Sequence, residues 1–174
     1  MRYTKNFNLL ISTSRYNETN AKSELWFTLL LCNDSYPIIS GIQFPGLITA
    51  YTNLTPKKVI LKIKKIRERE PKFFQYILKI IPVDFICETN TNTIKQMINN
   101  TYKNYIDEKD SFKILLKRRH HEKIERTKFI EIIANSINNK VDLENPDKIV
   151  RIEVLGNITG ISFLKKNEIV KINR

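Results

Sequence analysis

Glycine is scarce in this sequence, with four residues among 174. Phosphate-binding loops of the G-x-x-x-x-G-K-[ST] and G-x-G-x-x-G types need closely spaced glycines, and neither pattern occurs. The G-x-S-x-G turn that carries the serine nucleophile of many hydrolases is also missing. The sequence therefore predicts a protein that is not an enzyme and that binds no small-molecule cofactor.

Cysteine and histidine are equally few. Cys32 and Cys87 belong to no C-x-x-C pair, so we expect neither a zinc site nor a disulfide framework, and both are predicted to be small buried side chains. His120 and His121 open the stretch "HHEKIE", which superficially resembles a zinc-protease helix. That motif needs two histidines four residues apart, whereas Glu125 occupies the second position. We therefore predict no metal site.

Long apolar stretches are missing as well. No run approaches the roughly 18 consecutive apolar residues of a membrane-spanning helix. The N-terminal residues "MRYTKNFNLL" lack the apolar core and the cleavage site of a signal peptide. We therefore expect a cytoplasmic protein without a membrane partner.

Positive charge is what the sequence has in excess. Thirty Lys and Arg against 18 Asp and Glu give a net charge of +12. Residues 1–90 hold 13 basic and 7 acidic side chains, and residues 91–174 hold 17 and 11, so each half has a net charge of +6. Such an excess indicates a polyanionic partner, with nucleic acid ahead of a membrane surface.

Local patterns predict an α+β fold in two domains, 1–90 and 91–174. The first half has a clear helix start at Thr55-Pro56, where Thr caps free N–H groups and Pro loses no hydrogen bond. We expect a strand at 6–13, a helix at 20–31, a strand pair around "FPG", a helix from Pro56 to about Arg69 and a strand over 71–87. This order of elements predicts a ferredoxin-like domain.

The second half is also predicted to mix helices and strands. A helical stripe consists of Ile94, Met97, Ile98, Thr101 and Tyr105. In "SFKILLK" apolar and charged residues alternate, as in a half-buried strand. A second helix is expected over 129–137 with Thr127 as its N-cap, and three strands follow a turn at Asn145-Pro146-Asp147.

A dense group of cations follows the alternating strand. Two acidic residues, Glu122 and Glu125, stand among seven basic ones: Lys113, Lys117, Arg118, Arg119, Lys123, Arg126 and Lys128. Because the group follows a strand and precedes a helix, we expect it to be held on a fixed scaffold, beside helix N–H groups that suit a phosphate. A solvated loop is the alternative. We predict phosphate binding, since backbone contacts dominate nucleic-acid affinity.

The helix that begins at Pro56 has a second cationic surface. Its members are spaced four, three and four residues apart and form one stripe: Lys58, Lys62, Lys65 and Arg69. Val59, Ile63 and Ile66 form a separate apolar stripe that is expected to pack. Basic helix faces are often only solvated, so this stripe is the less specific indication of a polyanion.

Three segments of the second half resemble the THUMP domain, an RNA-binding module of tRNA-modification enzymes: "FKILLKRRHH", a helix ending "IANSI", and "VDLENPDKIVRIEVLGNITGISFL". The most specific part is Val141-Asp142-Leu143-x-Asn145-Pro146-Asp147, followed by a strand with Glu153. In that family a small ferredoxin-like domain usually precedes the THUMP domain. The stretches "ISTSR", "AKSELWFTLL", "FPGLITA" and "YILKIIPVD" look like the stand-alone adaptors that help a separate acetyltransferase make N4-acetylcytidine in tRNA.

The resemblance implies a non-catalytic adaptor that binds tRNA and presents it to an RNA cytidine acetyltransferase acting in trans. The THUMP domain would grip the acceptor stem with its 3′ end. By motif match, the residues expected to contact the RNA are Lys117, Arg118 and Arg119. Lys113, His120 and Arg126 are weaker candidates for the same role. Asp142, Leu143, Asn145 and Pro146 are expected to be structural. The chain has "EKIERT" where small Ser residues are expected, which is a departure at Lys123 and Arg126.

Two alternatives remain open from the sequence. One is an RNA-binding subunit of a different tRNA-modifying enzyme, for methylation or thiolation, with the catalytic domain on another chain. The other is a small metal-dependent nuclease that uses His120, His121 and nearby Glu side chains. The nuclease would cleave RNA only with metal present, whereas both RNA-binding hypotheses predict salt-dependent binding without turnover.

Overall fold

The computed structural model of the protein describes residues 6–119 and 124–172. It has a mixed α+β architecture, as the sequence predicts. The backbone divides into two compact units: Met1–Val83 together with Asn167–Arg174, and Asp84–Lys166. None of the helices in the described ranges combines the length and the apolar character needed to span a bilayer.

The first unit is built on an antiparallel sheet covered by two helices on one face. Its elements are β1 (Leu9–Thr13), α1 (Glu18–Leu31), β2 (Ile38–Gly41), β3 (Leu47–Tyr51), α2 (Pro56–Arg69) and β4 (Ile77–Pro82). The strand order is β2-β3-β1-β4, and each neighbouring pair is antiparallel. The order of helices and strands is the expected one, and the description of this unit as ferredoxin-like stays a prediction.

α2 shows why the first unit folds as it does. Thr55 is its N-cap residue, Pro56 occupies the first turn and Arg69 is its last residue, as the sequence predicts, although the Thr55 side chain makes no capping hydrogen bond. Val59 and Ile63 are fully buried against the sheet. The predicted apolar stripe is therefore the packed face of the helix.

The second unit contains β5 (Phe85–Glu88), α3 (Thr91–Thr101), a 3-10 turn (Tyr102–Asn104), β6 (Phe112–Arg119), α4 (Arg126–Ala134), β7 (Lys148–Leu155) and β8 (Ile158–Leu164). The strand order is β5-β8-β7-β6, so β6 is an edge strand, and it runs parallel to β7. One face of the sheet packs against α3 and α4, with Phe112, Leu116 and Phe163 in the core. The alternating pattern of "SFKILLK" thus marks the buried face of β6.

The prediction of a single strand over residues 71–87 is wrong. Its residues form β4 in the first sheet and β5 in the second, separated by Val83 and Asp84. The last predicted strand, β9 (Val170–Lys171), pairs with β4 in the first sheet through Ile80 and Val170. The compact units therefore differ in extent from the predicted domains 1–90 and 91–174, because strand pairing returns the end of the chain to the first sheet.

Both cysteines pack among apolar side chains, but only Cys32 is buried as predicted. Cys32 is buried in the core of the first unit, and Cys87 is half-buried against the core of the second. Burial raises the pKa of both thiols, that of Cys87 to about 11. These are the properties of unreactive structural cysteines.

Candidate nucleic-acid interface

The cationic group that the sequence predicts to bind phosphate lies partly at the end of β6. This strand pairs with β7 on one edge, and on the other edge its first residue, Phe112, bridges to Val141. Its last three residues, Lys117, Arg118 and Arg119, are all exposed. The edge of the sheet therefore presents three cations on a regular backbone, as the sequence predicts for a fixed scaffold.

The three cations do not point the same way, however. Successive side chains of a strand alternate between its faces, so Arg118 shares a face with the core residues Phe112 and Leu116. Its Nη1 group donates a hydrogen bond to the carbonyl oxygen of Ile124. Lys117 and Arg119 lie on the opposite face and have no ion pair or hydrogen bond in the part of the chain that the structure describes.

Arg126 makes a structural contact from the other side of the loop that joins β6 to α4. As the first residue of α4, it donates a hydrogen bond from Nη1 to the Leu116 carbonyl oxygen at 3.0 Å. Arg118 and Arg126 thus each tie the start of α4 to the end of β6. A guanidinium has five N–H donors, so both residues retain donors for a ligand, but their positions are set by these structural bonds.

The N-terminus of α4 is capped by an acidic residue. The carboxylate of Glu125 accepts hydrogen bonds from the backbone N–H groups of Thr127 at 2.9 Å and Lys128 at 2.7 Å. These bonds, chiefly that from Lys128, lower the pKa of Glu125. The prediction that Thr127 caps the helix is therefore wrong, and the N–H groups expected to meet a phosphate are occupied by a carboxylate of this chain.

In the stretch 141–147, Asp142 has the structural role that the sequence predicts, whereas the Leu143 side chain is 72% exposed. Asp142 Oδ1 accepts the N–H groups of Glu144 at 3.0 Å and Asn145 at 2.8 Å, which closes a turn. Asp147 Oδ2 accepts hydrogen bonds from the backbone N–H and the hydroxyl of Ser111, at 2.8 Å and 2.7 Å, and these bonds lower its pKa. The turn is therefore attached to the start of β6, where Lys113 is half-buried and its Nζ lies 3.4 Å from the Leu143 carbonyl oxygen.

Glu153, the acidic residue in the strand that resembles part of the THUMP domain, is buried next to the cations of β6. It stands opposite Lys117 in the pairing of β6 and β7. Its Oε1 accepts a hydrogen bond from Arg151 Nε at 2.6 Å and lies 2.5 Å from Arg151 Nη2. Because Arg151 neutralises this carboxylate, the charge of Lys117 is available to a ligand.

The second predicted surface, on α2, is exposed. Lys58, Lys62, Lys65 and Arg69 all face solvent. Lys62 donates a hydrogen bond to the Cys32 carbonyl oxygen at 2.7 Å. Lys58, Lys65 and Arg69 have no polar partner within the described ranges, which leaves three unpaired cations on one helix face.

The remaining cations of α2 have a structural role. Lys57 forms an ion pair with Glu168 at 3.3 Å. Lys64 and Arg67 donate hydrogen bonds to the carbonyl oxygens of Asn167 and Lys171. These contacts attach the C-terminal segment to the helix, so α2 separates its seven basic residues into an exposed stripe and an anchoring side.

Sequence reasoning assigned no role to Arg15 and Tyr16, which follow β1. Both side chains are exposed, Tyr16 at 94%. The available signal was an aromatic residue beside an arginine in a short polar segment between a strand and a helix. That signal is weak by itself, and the backbone geometry is what distinguishes this pair.

The predicted contacts His120 and Lys123 lie outside the described residues, as does His121. Within 6–119 and 124–172, no group of three or more His, Cys, Asp and Glu side chains is arranged to hold a metal ion.

The comparisons with known proteins converge on one fold. Residues 88–164, which lie within the second unit, match the family model of the THUMP domain. No curated protein matches the sequence. Among solved structures, the chain is similar to PH1313 from Pyrococcus horikoshii Ot3, with 19% identity and a TM-score of 0.67 over 94% of this chain and 55% of that one.

Two further solved structures are similar over most of this chain. TrmN from Thermus thermophilus has 10% identity and a TM-score of 0.58, covering 89% of this chain and 44% of its own. A 4-thiouridine synthetase, solved as a complex with RNA and bound ATP, has 14% identity and a TM-score of 0.57, covering 95% of this chain and 42% of its own. The chain thus spans about half the length of these proteins, and at such identities the likeness establishes a shared fold.

Proposed function

Because residues 88–164 are a THUMP domain, we propose that this protein is a cytoplasmic, non-catalytic adaptor that binds tRNA. It presents the tRNA to a separate RNA cytidine acetyltransferase, which forms N4-acetylcytidine. The observation that carries the proposal is the pair Lys117 and Arg119 at the edge of the second sheet, both exposed and without a polar side-chain partner in the described residues. Cations held on a regular strand without partners of their own are suited to phosphate contacts.

Two further facts support RNA as the ligand. The net charge of +12 attracts a polyanion over long distances. A protein of the same fold, the 4-thiouridine synthetase, was solved with RNA bound. In the first unit, the strand order β2-β3-β1-β4 supports its assignment as the ferredoxin-like domain that accompanies THUMP domains.

A protein partner is supported by the outward face of α1. Trp26, Phe27 and Leu31 are each about half exposed, at 52%, 51% and 49%. Phe27 and Leu31 are four residues apart and lie on one side of the helix, and the Phe27 ring stacks on Phe73. Neighbouring exposed apolar side chains are typical of protein–protein surfaces. The resemblance of the quoted segments to stand-alone adaptors supports an acetyltransferase as that partner.

A reconstitution tests the proposal. The chain is incubated with tRNA, acetyl-CoA, ATP and a candidate acetyltransferase, and N4-acetylcytidine is measured after nuclease digestion. We expect the chain to accelerate acetylation, and the variant Lys117→Ala/Arg119→Ala to lose that acceleration. Acetylation that is equally fast without the chain contradicts the adaptor role for that partner.

A matched control removes the same charge elsewhere in the second unit. Lys103 and Lys109 are exposed and precede β6, whereas Lys117 and Arg119 end it. Lys103→Ala/Lys109→Ala should keep the acceleration. If both double variants lose it equally, net charge rather than the end of β6 determines binding.

The second candidate is an RNA-binding subunit of a thiolation or methylation enzyme. The fold shared with the 4-thiouridine synthetase supports this alternative. Replacing the acetyltransferase by a candidate sulfurtransferase, and measuring 4-thiouridine by its near-ultraviolet absorbance, distinguishes the two functions.

A further inference from the structure

The turn that joins β1 to α1 has an unusual backbone. The N–H group of Asn17 donates to the Ser14 carbonyl oxygen at 3.1 Å, which makes Arg15 and Tyr16 the two central residues of a four-residue turn. Tyr16 has φ of 70°, in the left-handed region. A turn of this kind favours Gly or Asn at that position, because a bulky side chain is strained there.

The turn is held firmly in this strained form. Thr13 donates its N–H to the Gly46 carbonyl oxygen at 2.9 Å, and the Gly46 N–H donates to Glu18 Oε1 at 2.6 Å. Gly46 itself has φ of 77°, and a Cβ placed there would lie 2.9 Å from the Thr13 carbonyl oxygen. Gly46 therefore bonds to the residues on both sides of the turn, Thr13 before it and Glu18 after it.

The strain at Tyr16 is matched by no contact of its ring. The side chain is 94% exposed, and neither Tyr16 nor Arg15 has a side-chain hydrogen bond, ion pair or ring contact in the described residues. A strained residue whose side chain has no partner in the described part of the chain points to a function outside its own fold. An aromatic face beside a guanidinium suits a nucleotide, with the base on the ring and the phosphate on the cation.

We propose that Tyr16 stacks on an unpaired base of the bound RNA while Arg15 contacts an adjacent phosphate. The proposal rests on the RNA-binding function above and names its ligand more closely, as an RNA with a single-stranded end or loop. The neighbours Ser14 and Asn17 are polar, so the turn has little apolar surface to bury against a protein. RNA is therefore favoured over a protein ligand at this turn.

Three variants test the stacking contact in the full chain. Tyr16→Asn removes the ring but suits the left-handed backbone, and Tyr16→Phe keeps the ring. The control is Tyr36→Asn, since Tyr36 is 80% exposed and follows the other end of α1, a helix about 21 Å long. Affinity is measured for an RNA hairpin with a single-stranded 3′ extension and for the same hairpin with a blunt end.

We expect Tyr16→Asn to weaken binding of the extended hairpin by about 5- to 150-fold, as for the loss of one base stack, while Tyr16→Phe stays within roughly twofold of the wild type. Binding of the blunt hairpin should be unaffected, and Tyr36→Asn should bind both RNAs like the wild type. The melting temperature of Tyr16→Asn should be no lower than that of the wild type, because the substitution relieves strain. A lower melting temperature would overturn the proposal by making Tyr16 a structural residue.

The salt dependence of binding tests Arg15 separately. Arg15→Ala should reduce the slope of log affinity against log salt by about 0.7, the value for one single-strand phosphate contact, whereas Tyr16→Asn should leave the slope unchanged. A wild-type chain that binds neither RNA overturns both the proposed function and this inference. A wild-type chain that binds both, with Tyr16→Asn equal to Tyr16→Phe, overturns this inference alone.

Discussion

Lys117 and Arg118 are adjacent in sequence but have different roles in the structure. Strand alternation directs Lys117 away from the core, whereas Arg118 lies on the core face and donates to the Ile124 carbonyl oxygen. A run of basic residues on a strand therefore divides into ligand contacts and structural contacts. On this basis, Lys117 and Arg119 are the strongest candidates for phosphate binding.

Lys117→Ala and Arg118→Ala should separate these two roles. Lys117→Ala is expected to reduce the salt slope of tRNA binding by about 0.9, as for one duplex phosphate, with unchanged thermal stability. Arg118→Ala is expected to lower the free energy of unfolding by about 1 kcal/mol, because a hydrogen bond across the loop is lost. Binding titrations at several salt concentrations and thermal unfolding measure the two effects. An Arg118→Ala variant with full stability and a reduced slope would assign Arg118 to the RNA instead.

Glu125 makes the stability of α4 depend on pH. Its folded pKa is lowered from 4.5 because its carboxylate accepts two backbone N–H groups. The ionised cap therefore stabilises the fold above the unfolded pKa, and this stabilisation is lost as pH falls through the lowered folded value. Thermal unfolding of the wild type and of Glu125→Gln from pH 7 to pH 3 should show the wild-type advantage shrinking in acid. A pH-independent difference would contradict a cap that acts through its charge.

At the scale of the element, α2 combines three roles on one helix. Its packed face holds the first core, its anchoring side holds the C-terminal segment, and its exposed stripe includes three cations, Lys58, Lys65 and Arg69, that have no polar partner in the described residues. The helical period places residues three and four apart on one side, so these roles do not interfere.

Two double variants of α2 carry the same change in charge and should differ in effect. Lys58→Ala/Lys65→Ala should weaken tRNA binding without loss of stability. Lys57→Ala/Lys64→Ala should lower the free energy of unfolding by about 1 kcal/mol, because the contacts to Glu168 and Asn167 are lost. Equal weakening of tRNA binding by both variants would mean that the helix acts through its total charge.

At the scale of the whole molecule, the chain passes from the first unit to the second and back. β9 closes the first sheet, and Val170 is fully buried in that unit's core beside Ile80. Residues from both ends of the sequence thus build one core, whereas the second unit is continuous in sequence. The stability of the first unit therefore depends on a segment that is more than 80 residues away along the chain.

Val170→Ala should destabilise the first unit selectively, by about 1–3 kcal/mol for a buried valine. Amide hydrogen exchange should show lost protection in β1, β3 and β4, with the strands of the second unit unchanged. Lys171→Ala is the control, because Lys171 is exposed on the same strand. Equal loss of protection in both units would show that they unfold together.

Short-range signals explain what could be predicted from the sequence. Thr55-Pro56 and the apolar spacing determined the bounds of α2, and alternation determined which face of β6 is buried, because both depend on steric and hydrogen-bonding effects within a few residues. The positive charge of each half and the residues of the THUMP resemblance could likewise be read directly. These features led to RNA binding as the proposed function.

The features that depend on contacts between residues far apart in the sequence were determined only by the tertiary structure. The local pattern of residues 71–87 predicts one strand. Their division between two sheets depends on pairing with the strand residues 9–13 and 158–161. Glu125 took the cap that Thr127 was expected to provide, and Tyr16 has a left-handed backbone in a turn whose flanking residues, Thr13 and Glu18, both bond to the distant Gly46. Pairing between distant segments carries no local signature in a single sequence, so only the folded chain shows which cations are free to bind and which hold the protein together.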